Sequence, residues 1–167
     1  MKNKIKILDA SAFIGGYHPT DKNNYTIPEV TQELKDIQSQ SILNNALKDD
    51  LLKIQEPNLN TIKIISDIIK KSGDVLRLSD VDKKLLALSI QKKSEHNDVL
   101  LLTDDYSIQN VAKILKIPFQ SIITNGINQI YSWKLICKGC KKEYSKDYPY
   151  PECEICGSSL YKKRIKE

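Results

Sequence analysis

The chain has 167 residues, of which 40% are apolar and 28% are charged, and its formal net charge is +5. This length allows one compact domain with a core and a small appendage, and the composition is typical of a globular protein. No uncharged apolar run approaches the roughly 20 residues that a helix needs to cross a bilayer. The start MKNKIKILDA has too few apolar residues for a secretory signal peptide, so we expect a cytoplasmic protein that does not enter a membrane.

The first part of the chain is predicted to contain one strand and three helices. The stretch KIKIL at residues 4–8 predicts a short central strand, and residues 10–14 predict a helix that ends at a Gly-Gly pair. Residues 17–26 are polar and are expected to form a loop. A helix is predicted over 28–37, where a proline suits its first turn. The spacing of apolar residues over 41–54 predicts a further helix.

The middle of the chain alternates helices and strands. Helical spacing predicts helices over residues 60–71, 79–93 and 107–115. Apolar runs predict buried strands over 99–102 and 117–123. Strands that alternate with helices build an α/β fold, so we expect a mostly parallel central sheet flanked by helices.

A change of composition marks a second, smaller domain. From about Trp133 the long apolar periodicity stops, and Pro, Gly, Tyr, Cys and Lys dominate. We therefore predict a larger domain over residues 1–127 and a small one over 128–167, which starts with a linking strand at about 128–135. The segment 134–167 carries nine Lys and Arg but only five Asp and Glu. It holds most of the net positive charge, which favours a polyanionic partner.

The small domain contains all four cysteines as two Cys-x-x-Cys pairs separated by twelve residues: Cys137, Cys140, Cys153 and Cys156. Two such pairs are the ligand pattern of tetrahedral zinc in a ribbon, and Gly139 and Gly157 lie where tight turns around a metal need small residues. The alternative is a pair of separate redox motifs. Four thiolates leave no open coordination position, so we predict a structural zinc ion rather than a catalytic one.

Basic residues around these cysteines predict an RNA-binding surface. Lysine pairs with phosphate, and the tyrosines between the lysines can stack on bases. The alternative is a solvated surface over a small tyrosine core. The predicted RNA-binding residues are Lys138, Lys141, Lys142, Lys146, Lys162, Lys163 and Arg164.

Acidic residues follow the strands and lie near the helix starts of the larger domain. Asp9 follows the first strand, and Asp104 and Asp105 follow a leucine-rich strand. The carboxyl ends of parallel strands meet at one edge of a sheet. We expect Glu33 and Asp82, on neighbouring helices, to join them there. Such a cluster needs cations, and oxygen ligands select Mg²⁺ or Mn²⁺.

Each of these acids also has a purely structural alternative. Ser79 and Asp82 fit a helix capping box. The aspartates after the strands could cap the helices that follow, and Glu33 could be an exposed helix acid.

The chain offers little other catalytic equipment. It has two histidines, and it contains no glycine-rich P-loop motif and no Gly-x-Ser-x-Gly elbow. Carboxylates with a divalent ion suit phosphodiester hydrolysis, in which the metal activates a water and stabilises the leaving oxygen.

Four segments of the larger domain resemble the PIN-domain nucleases. They are ILDASAFI at 7–14, EVTQELKD at 29–36, LSDVDKKLLALSI at 78–90 and LLTDDYSIQNVA at 101–112. The resemblance covers roughly residues 4–125 and implies a PIN fold with a nuclease active site.

The acidic positions of that family match Asp9, Glu33, Asp82 and the aspartate of a Thr-x-Asp element. The spacing of this element picks Asp105, with Asp104 as the near alternative. The resemblance implies that Asp9, Asp82 and Asp105 hold one or two Mg²⁺ or Mn²⁺ ions and that Glu33 supports a ligand or a water. Of the two adjacent aspartates, one is expected to serve the metal and the other to cap the next helix.

A PIN domain followed by a strand at Trp133 and a four-cysteine ribbon is similar to the archaeal form of the Nob-type endonucleases, which trim the 3′ end of small-subunit rRNA. This resemblance implies an endoribonuclease that acts on single-stranded precursor rRNA in the pre-ribosomal small subunit, with the ribbon holding the RNA. One alternative is a toxin-type PIN ribonuclease that cuts mRNA or tRNA, and another is a non-catalytic RNA-binding assembly module. A zinc-ribbon transcription factor would explain the cysteines but not the acids.

Overall fold

The computed structural model describes residues 4–72, 78–123 and 131–166, which contain two separate sheets. In chain order the elements of the larger sheet and its helices are β1 (Ile5–Leu8), α1 (Ala10–Ile14), β2 (Asn24–Thr26), α2 (Pro28–Glu33), α3 (Ile37–Lys48), β3 (Leu52–Ile54), α4 (Leu59–Ser72), α5 (Asp80–His96), β4 (Val99–Leu102), α6 (Tyr106–Ile114) and β5 (Phe119–Gln120). None of the helices in the described ranges is long and apolar enough to cross a bilayer.

The larger sheet consists of five parallel strands in the order β3-β2-β1-β4-β5. From β1 the chain builds outwards through β2 and β3 on one side and through β4 and β5 on the other. The strand order therefore reverses between β1 and β4, whose pairing places Leu8 beside Leu102 at their carboxyl ends. In open α/β sheets, ligands bind beyond the carboxyl ends at such a reversal. The predicted α/β class with a parallel central sheet is confirmed.

Buried apolar side chains of the sheet and its helices form one core. Ile7 and Leu101 from the central strands, Phe13 from α1, and Leu85 and Leu88 from α5 are all completely buried. Burying one such side chain contributes about 1.5–3 kcal/mol to folding. Helix α5 packs on β1 and β4 and leads into β4 after a short connection, so its N-terminus lies at the carboxyl edge of the sheet.

The polar segment 17–26 was wrongly predicted as a loop throughout, because it ends in β2, which pairs with β1. Two polar side chains of β2 are fully buried and hydrogen-bonded. Thr26 Oγ1 donates to the carbonyl of Leu8 at 2.7 Å, and Asn24 Nδ2 donates to the carbonyl of Leu51 at 3.1 Å. These bonds satisfy polar groups at strand positions that are usually apolar.

The single helix predicted over 28–37 is two helices. Leu34 leaves the helical conformation with a ψ of 104°, and Asp36 then begins α3 as its N-cap, accepting the N–H of Ser39 at 2.8 Å. The cap side chain provides the acceptor that starts a new helix.

The helix predicted over 41–54 is also wrong in its second half. Helix α3 ends at Lys48, and Asp50 adopts a left-handed φ of 55° that turns the chain. The following residues form β3, which pairs with β2 at the edge of the sheet.

The other predicted helices and strands of this domain are confirmed, although β5 has only two residues. The predicted domain boundary at residue 127 lies outside the described residues.

The second sheet is small and antiparallel. It contains β6 (Tyr131–Cys137), β7 (Glu143–Tyr144) and β8 (Leu160–Lys166), in the order β7-β6-β8. The predicted strand around Trp133 is confirmed as β6. The core of this part consists of two cysteines, three apolar or aromatic neighbours and a buried tyrosine: Cys137, Cys153, Leu135, Tyr148, Leu160 and Tyr144.

Candidate active site and metal centre

Asp9 lies at the carboxyl end of β1 with both carboxylate oxygens hydrogen-bonded. Its Oδ1 accepts the N–H of Ala10 at 2.7 Å, which caps α1, and its Oδ2 accepts the hydroxyls of Ser11 and Thr103, each at 2.8 Å. Only 8% of Asp9 is exposed. Three donors from two neighbouring strand ends therefore fix the orientation of this carboxylate.

The hydroxyls of Ser11 and Thr103 also tie Asp9 to the two adjacent aspartates. The N–H of Asp104 donates to Ser11 Oγ at 3.0 Å, and the N–H of Asp105 donates to Thr103 Oγ1 at 3.1 Å. Each hydroxyl accepts from one aspartate and donates to Asp9, so the ends of β1 and β4 form one hydrogen-bonded unit. These hydroxyls are not among the site residues predicted from the sequence. The sequence does contain a signal for them, because Ser11 lies two residues after Asp9 and Thr103 lies directly before the two adjacent aspartates.

The two adjacent aspartates make different contacts. Asp105 is the N-cap of α6, where its Oδ1 accepts the N–H groups of Ser107 at 2.6 Å and Ile108 at 3.1 Å. Asp104 directs its carboxylate away from α6, to the N–H groups of Ile122 at 3.1 Å and Ile123 at 3.2 Å in the segment after β5. The predicted capping role therefore belongs to Asp105.

Asp82 and Glu33 complete the acidic set at this edge. Asp82 and Ser79 form the predicted capping box of α5, in which Asp82 Oδ2 accepts the N–H of Ser79 at 2.7 Å. Burial raises the pKa of Asp82 against the hydrogen bonds from Ser79, and the charges of Asp105 and Asp9 raise it further. Partial burial raises the pKa of the Glu33 carboxyl, and the charges of Asp9 and Asp82 add to the shift. The four acids are therefore electrostatic neighbours.

Within the described parts of the chain, none of Asp9, Glu33, Asp82 and Asp105 forms an ion pair. Nearby acids do have basic partners, since Lys83 pairs with Asp80 at 2.8 Å. Several uncompensated carboxylates at one sheet edge are a donor set that suits a hard divalent cation. Their oxygens are not drawn into one tight group, because the only such group in the described ranges is formed by cysteines.

The four cysteines come together as predicted, and their sulfur atoms all lie within 4.8 Å of one another: Cys137, Cys140, Cys153 and Cys156. The Sγ atoms of Cys137 and Cys156 are 3.4 Å apart, and those of Cys140 and Cys153 are 3.5 Å apart. A disulfide bond would need about 2.05 Å. A tetrahedron with Zn–S bonds of about 2.3 Å has edges near 3.8 Å, which these distances approach.

Hydrogen bonds favour the thiolate form at several of these sulfurs. The N–H groups of Gly139 and Ile155 donate to the first sulfur of each pair, at 3.3 and 3.4 Å. Hydrogen bonds from Ser158 lower the pKa of the Cys156 thiol to about 5. At Cys140 a backbone hydrogen bond from Lys142 acts in the same direction, but side-chain hydrogen bonding to Cys153 raises the pKa of the thiol to about 11. Gly157 has a left-handed φ of 69°, which glycine adopts without strain. This donor set fits a structural zinc ion.

Comparison with known proteins explains the acidic edge and the cysteine ribbon together. Residues 7–91 match the family described as the PIN domain of ribonuclease. Over 159 residues the chain is 47% identical to Endoribonuclease Nob1 of Methanothermobacter thermautotrophicus, which covers 95% of this chain and 92% of that protein.

The chain belongs to the Nob1 endoribonucleases, a PIN-domain family. It is also 42% identical over 165 residues to Endoribonuclease Nob1 of Methanocaldococcus jannaschii, covering 98% of this chain and 79% of that protein. It is 32% identical over 157 residues to Ribonuclease VapC1 of Thermoplasma acidophilum, covering 93% and 76%. Membership of the Nob1 family confirms the resemblance seen in the sequence, the PIN fold and the enzyme class.

The basic residues predicted to bind RNA lie on the ribbon of this Nob1 family member, and those whose side chains are described are exposed: Lys138, Lys141, Lys142, Lys146, Lys162 and Lys163. The side chain of Arg164 lies outside the described residues. Lys142 forms an ion pair with Glu154 at 2.5 Å, which neutralises part of this surface. RNA binding by these residues stays a prediction.

Proposed function

We propose that this protein is a divalent-metal-dependent endoribonuclease that cleaves single-stranded precursor rRNA at the 3′ end of the small-subunit rRNA, in the cytoplasm. The observation that carries the proposal is the set of acids without basic partners at the strand reversal of a PIN-domain fold. Similarity to proteins named Endoribonuclease Nob1 supports the reaction class.

Asp9, Asp82 and Asp105 would hold one or two Mg²⁺ or Mn²⁺ ions. Such ions, when bound, activate a water and stabilise the leaving oxygen in phosphodiester hydrolysis. The rest of the site is supplied by the chain. Asp9 is held by three donors, and Asp105 is fixed by α6, so their carboxylates keep their places without reorganisation during the reaction.

Glu33 has a different part in this proposal. Its carboxyl is exposed at the end of α2, and no hydrogen bond to it occurs among the described residues. Its raised pKa makes it a better proton acceptor than an ordinary glutamate. Glu33 would therefore orient a water or a metal ligand and take up a proton during hydrolysis.

The ribbon would hold the RNA of the pre-ribosomal small subunit. Its exposed lysines can neutralise phosphates, while the acidic edge would repel them, so attraction and chemistry are assigned to different parts of the chain. A structural zinc ion would keep the ribbon folded.

The test compares Asp82→Asn with Asp80→Asn in cleavage of an RNA that spans the mature 3′ end, with zinc-loaded protein and Mn²⁺. Asparagine at residue 82 can still accept the N–H of Ser79, so the cap is kept while the metal ligand is lost. Substitution of a residue that only hydrogen-bonds to a metal ligand typically lowers activity roughly 10–100-fold. We expect the loss of a ligand in Asp82→Asn to lower the cleavage rate by more than this. Asp80 lies two residues before Asp82 in the same turn of α5, and 93% of its side chain is exposed, so its variant is the matched control.

One cut near the mature end by the wild-type protein and by Asp80→Asn, but not by Asp82→Asn, would support the proposal. Equal cleavage by both variants would refute the metal site. The alternative of a toxin-type PIN ribonuclease makes mRNA and tRNA the second substrates to include. Cleavage of these RNAs with the precursor left intact would favour the toxin-type function.

A further inference from the structure

Three exposed apolar side chains flank the adjacent aspartates at the active edge. Ile14 ends α1 with 58% of its surface exposed, Ile123 follows β5 with 67% exposed, and Tyr106 begins α6 with 53% exposed. Apolar residues scattered singly on a surface need no explanation. These three belong to three different segments that meet at Asp104, and we call them the ledge.

Asp104 and Gly15 hold the ledge together. The carboxylate of Asp104 accepts the N–H groups of Ile122 and Ile123 at 3.1 and 3.2 Å. A Cβ atom on Gly15 would lie 2.7 Å from a side-chain carbon of Ile122 and 3.1 Å from one of Ile123, so this segment packs directly on the end of α1. Ile14 is the chain neighbour of Gly15, and Tyr106 is two residues from Asp104.

The negative charge of the acidic edge opposes the binding of RNA through its phosphates, whereas the ledge can bind RNA through its bases. Four neighbouring carboxylates repel the phosphates of RNA, and bound divalent ions would offset this repulsion only locally. Bases are uncharged, and unpaired bases stack on aromatic rings and apolar surfaces with little regard to sequence. In a duplex the same faces are already covered by neighbouring base pairs.

We propose that the ledge of Ile14, Tyr106 and Ile123 binds unpaired nucleobases next to the scissile phosphate, and that Asp104 is the positioning residue that holds it. This proposal rests on the proposed function. It names the contact by which the active edge selects single-stranded RNA. It also assigns the two adjacent aspartates separate tasks, because Asp105 caps α6 while Asp104 accepts the backbone N–H groups of Ile122 and Ile123.

The first experiment measures binding in the Asp82→Asn background, which keeps the RNA uncut. A labelled single-stranded oligonucleotide is titrated by fluorescence anisotropy against Tyr106→Ser, Tyr106→Phe and Ile14→Ser. Loss of one stacking contact should weaken binding roughly fivefold or more in the two serine variants, whereas Tyr106→Phe keeps the ring and retains its affinity. A blunt duplex of the same sequence should not distinguish the variants.

The matched control is Ile64→Ser. Ile64 lies on α4, and 56% of it is exposed, which is close to the value for Ile14. If Tyr106→Ser and Ile14→Ser bind the single strand as tightly as Ile64→Ser does, the ledge does not bind bases and the proposal is overturned.

The second experiment separates Asp104 from a metal ligand by its steady-state kinetics. Asparagine keeps a carbonyl oxygen that can accept the N–H groups of Ile122 and Ile123. Asp104→Asn should therefore keep most of the wild-type cleavage activity, whereas Asp104→Ala should lose it. The loss in Asp104→Ala should appear as a raised KM with little change in kcat. If Asp104→Asn is as inactive as Asp105→Asn, Asp104 belongs to the metal site and its positioning role is refuted.

The two proposals fail in different ways. A wild-type protein that cuts none of the RNAs would contradict the proposed function, but the anisotropy titration would still show whether single strands depend on the ledge. Normal cleavage by the wild type together with unchanged single-strand binding by Tyr106→Ser and Ile14→Ser would refute only the role of the ledge.

Discussion

Burial and mutual repulsion both disfavour the ionised form of the carboxyl groups at the acidic edge of the sheet. The pKa of Glu33 lies above its ordinary value of 4.5 and that of Asp82 above 3.8. A raised pKa means that the folded protein disfavours the ionised form relative to the unfolded chain. Stability is therefore lost as the pH rises from these values through the higher pKa of the folded state, and the loss persists at neutral pH. The chain tolerates this cost where a function needs the charge.

Glu33→Gln should therefore stabilise the metal-free nuclease domain at neutral pH. Because glutamine carries no charge, the variant removes one source of repulsion, and its Tm should exceed that of the wild type. The difference should shrink as the pH falls toward the ordinary pKa of glutamate, where the wild-type carboxyl becomes protonated. Thermal unfolding of both proteins across the acidic pH range, with zinc kept in the ribbon, measures this difference.

Adding Mn²⁺ to the same proteins gives the complementary result. A bound cation relieves the repulsion in the wild type, so its Tm should rise more than that of Glu33→Gln. Glu95→Gln is a suitable control, since hydrogen bonding to Lys92 lowers the pKa of this carboxyl. A Glu33→Gln protein that is less stable than the wild type at neutral pH would show that the charge of Glu33 does not destabilise the folded protein.

At the level of elements, the site is built from helix starts and strand ends. Asp9 and Asp105 each cap a helix, Asp82 completes the capping box of Ser79, and all three belong to the acidic set. Capping was expected as an alternative to function, but the two do not exclude each other, because a capping carboxylate keeps its charge. One oxygen of Asp105 accepts the N–H groups of α6, and its charge also raises the pKa of Asp82. Rigid helix starts thus hold the acids in position.

Two substitutions at Asp105 should separate these contributions. Asp105→Asn keeps a side-chain oxygen for the cap, so the free energy of unfolding should change little while cleavage is lost. Asp105→Ala removes the cap as well and should cost about 0.5–2 kcal/mol of stability. Denaturant unfolding and the cleavage assay together measure the two effects. An active Asp105→Asn protein would contradict the assignment of a metal ligand here.

The sequence was sufficient to predict those helices and strands whose buried positions are marked by a regular pattern of apolar residues. The strands β1 and β4 and the helix α5 are apolar where they meet the core, and the acids next to them could be located from strand order. The strand β2 could not, because Asn24 and Thr26 are polar and their burial depends on acceptors from distant segments. The helical spacing before β3 hid the left-handed turn at Asp50. The conformation of such a segment depends on hydrogen bonds to distant parts of the chain, and the local pattern of apolar residues does not reveal these bonds.

At the scale of the whole molecule, two sheets depend on different sources of stability. The parallel sheet has an apolar core, whereas the ribbon core consists of cysteines and a few neighbours. A unit of about 40 residues or fewer rarely folds without a metal or disulfides. Tyr144 connects β7 to the cysteine cluster, since its hydroxyl lies 2.9 Å from Cys153 Sγ. Burial raises the pKa of this hydroxyl, which keeps it protonated. A protonated hydroxyl there donates to a thiolate and supports zinc binding.

Removing zinc should therefore unfold the ribbon and leave the nuclease domain folded. The single tryptophan of the chain, Trp133, lies in β6 of the ribbon, so its fluorescence reports on this sheet. The helices α1 to α6 all accompany the parallel sheet, so far-UV circular dichroism reports on that part of the protein. A zinc chelator should shift the tryptophan emission to the red while most of the helical signal persists, and readdition of Zn²⁺ should reverse the shift. Cys140→Ser should show the shifted emission without a chelator. Loss of both signals in one transition would mean that the two sheets unfold as a single cooperative unit and that zinc stabilises the whole protein.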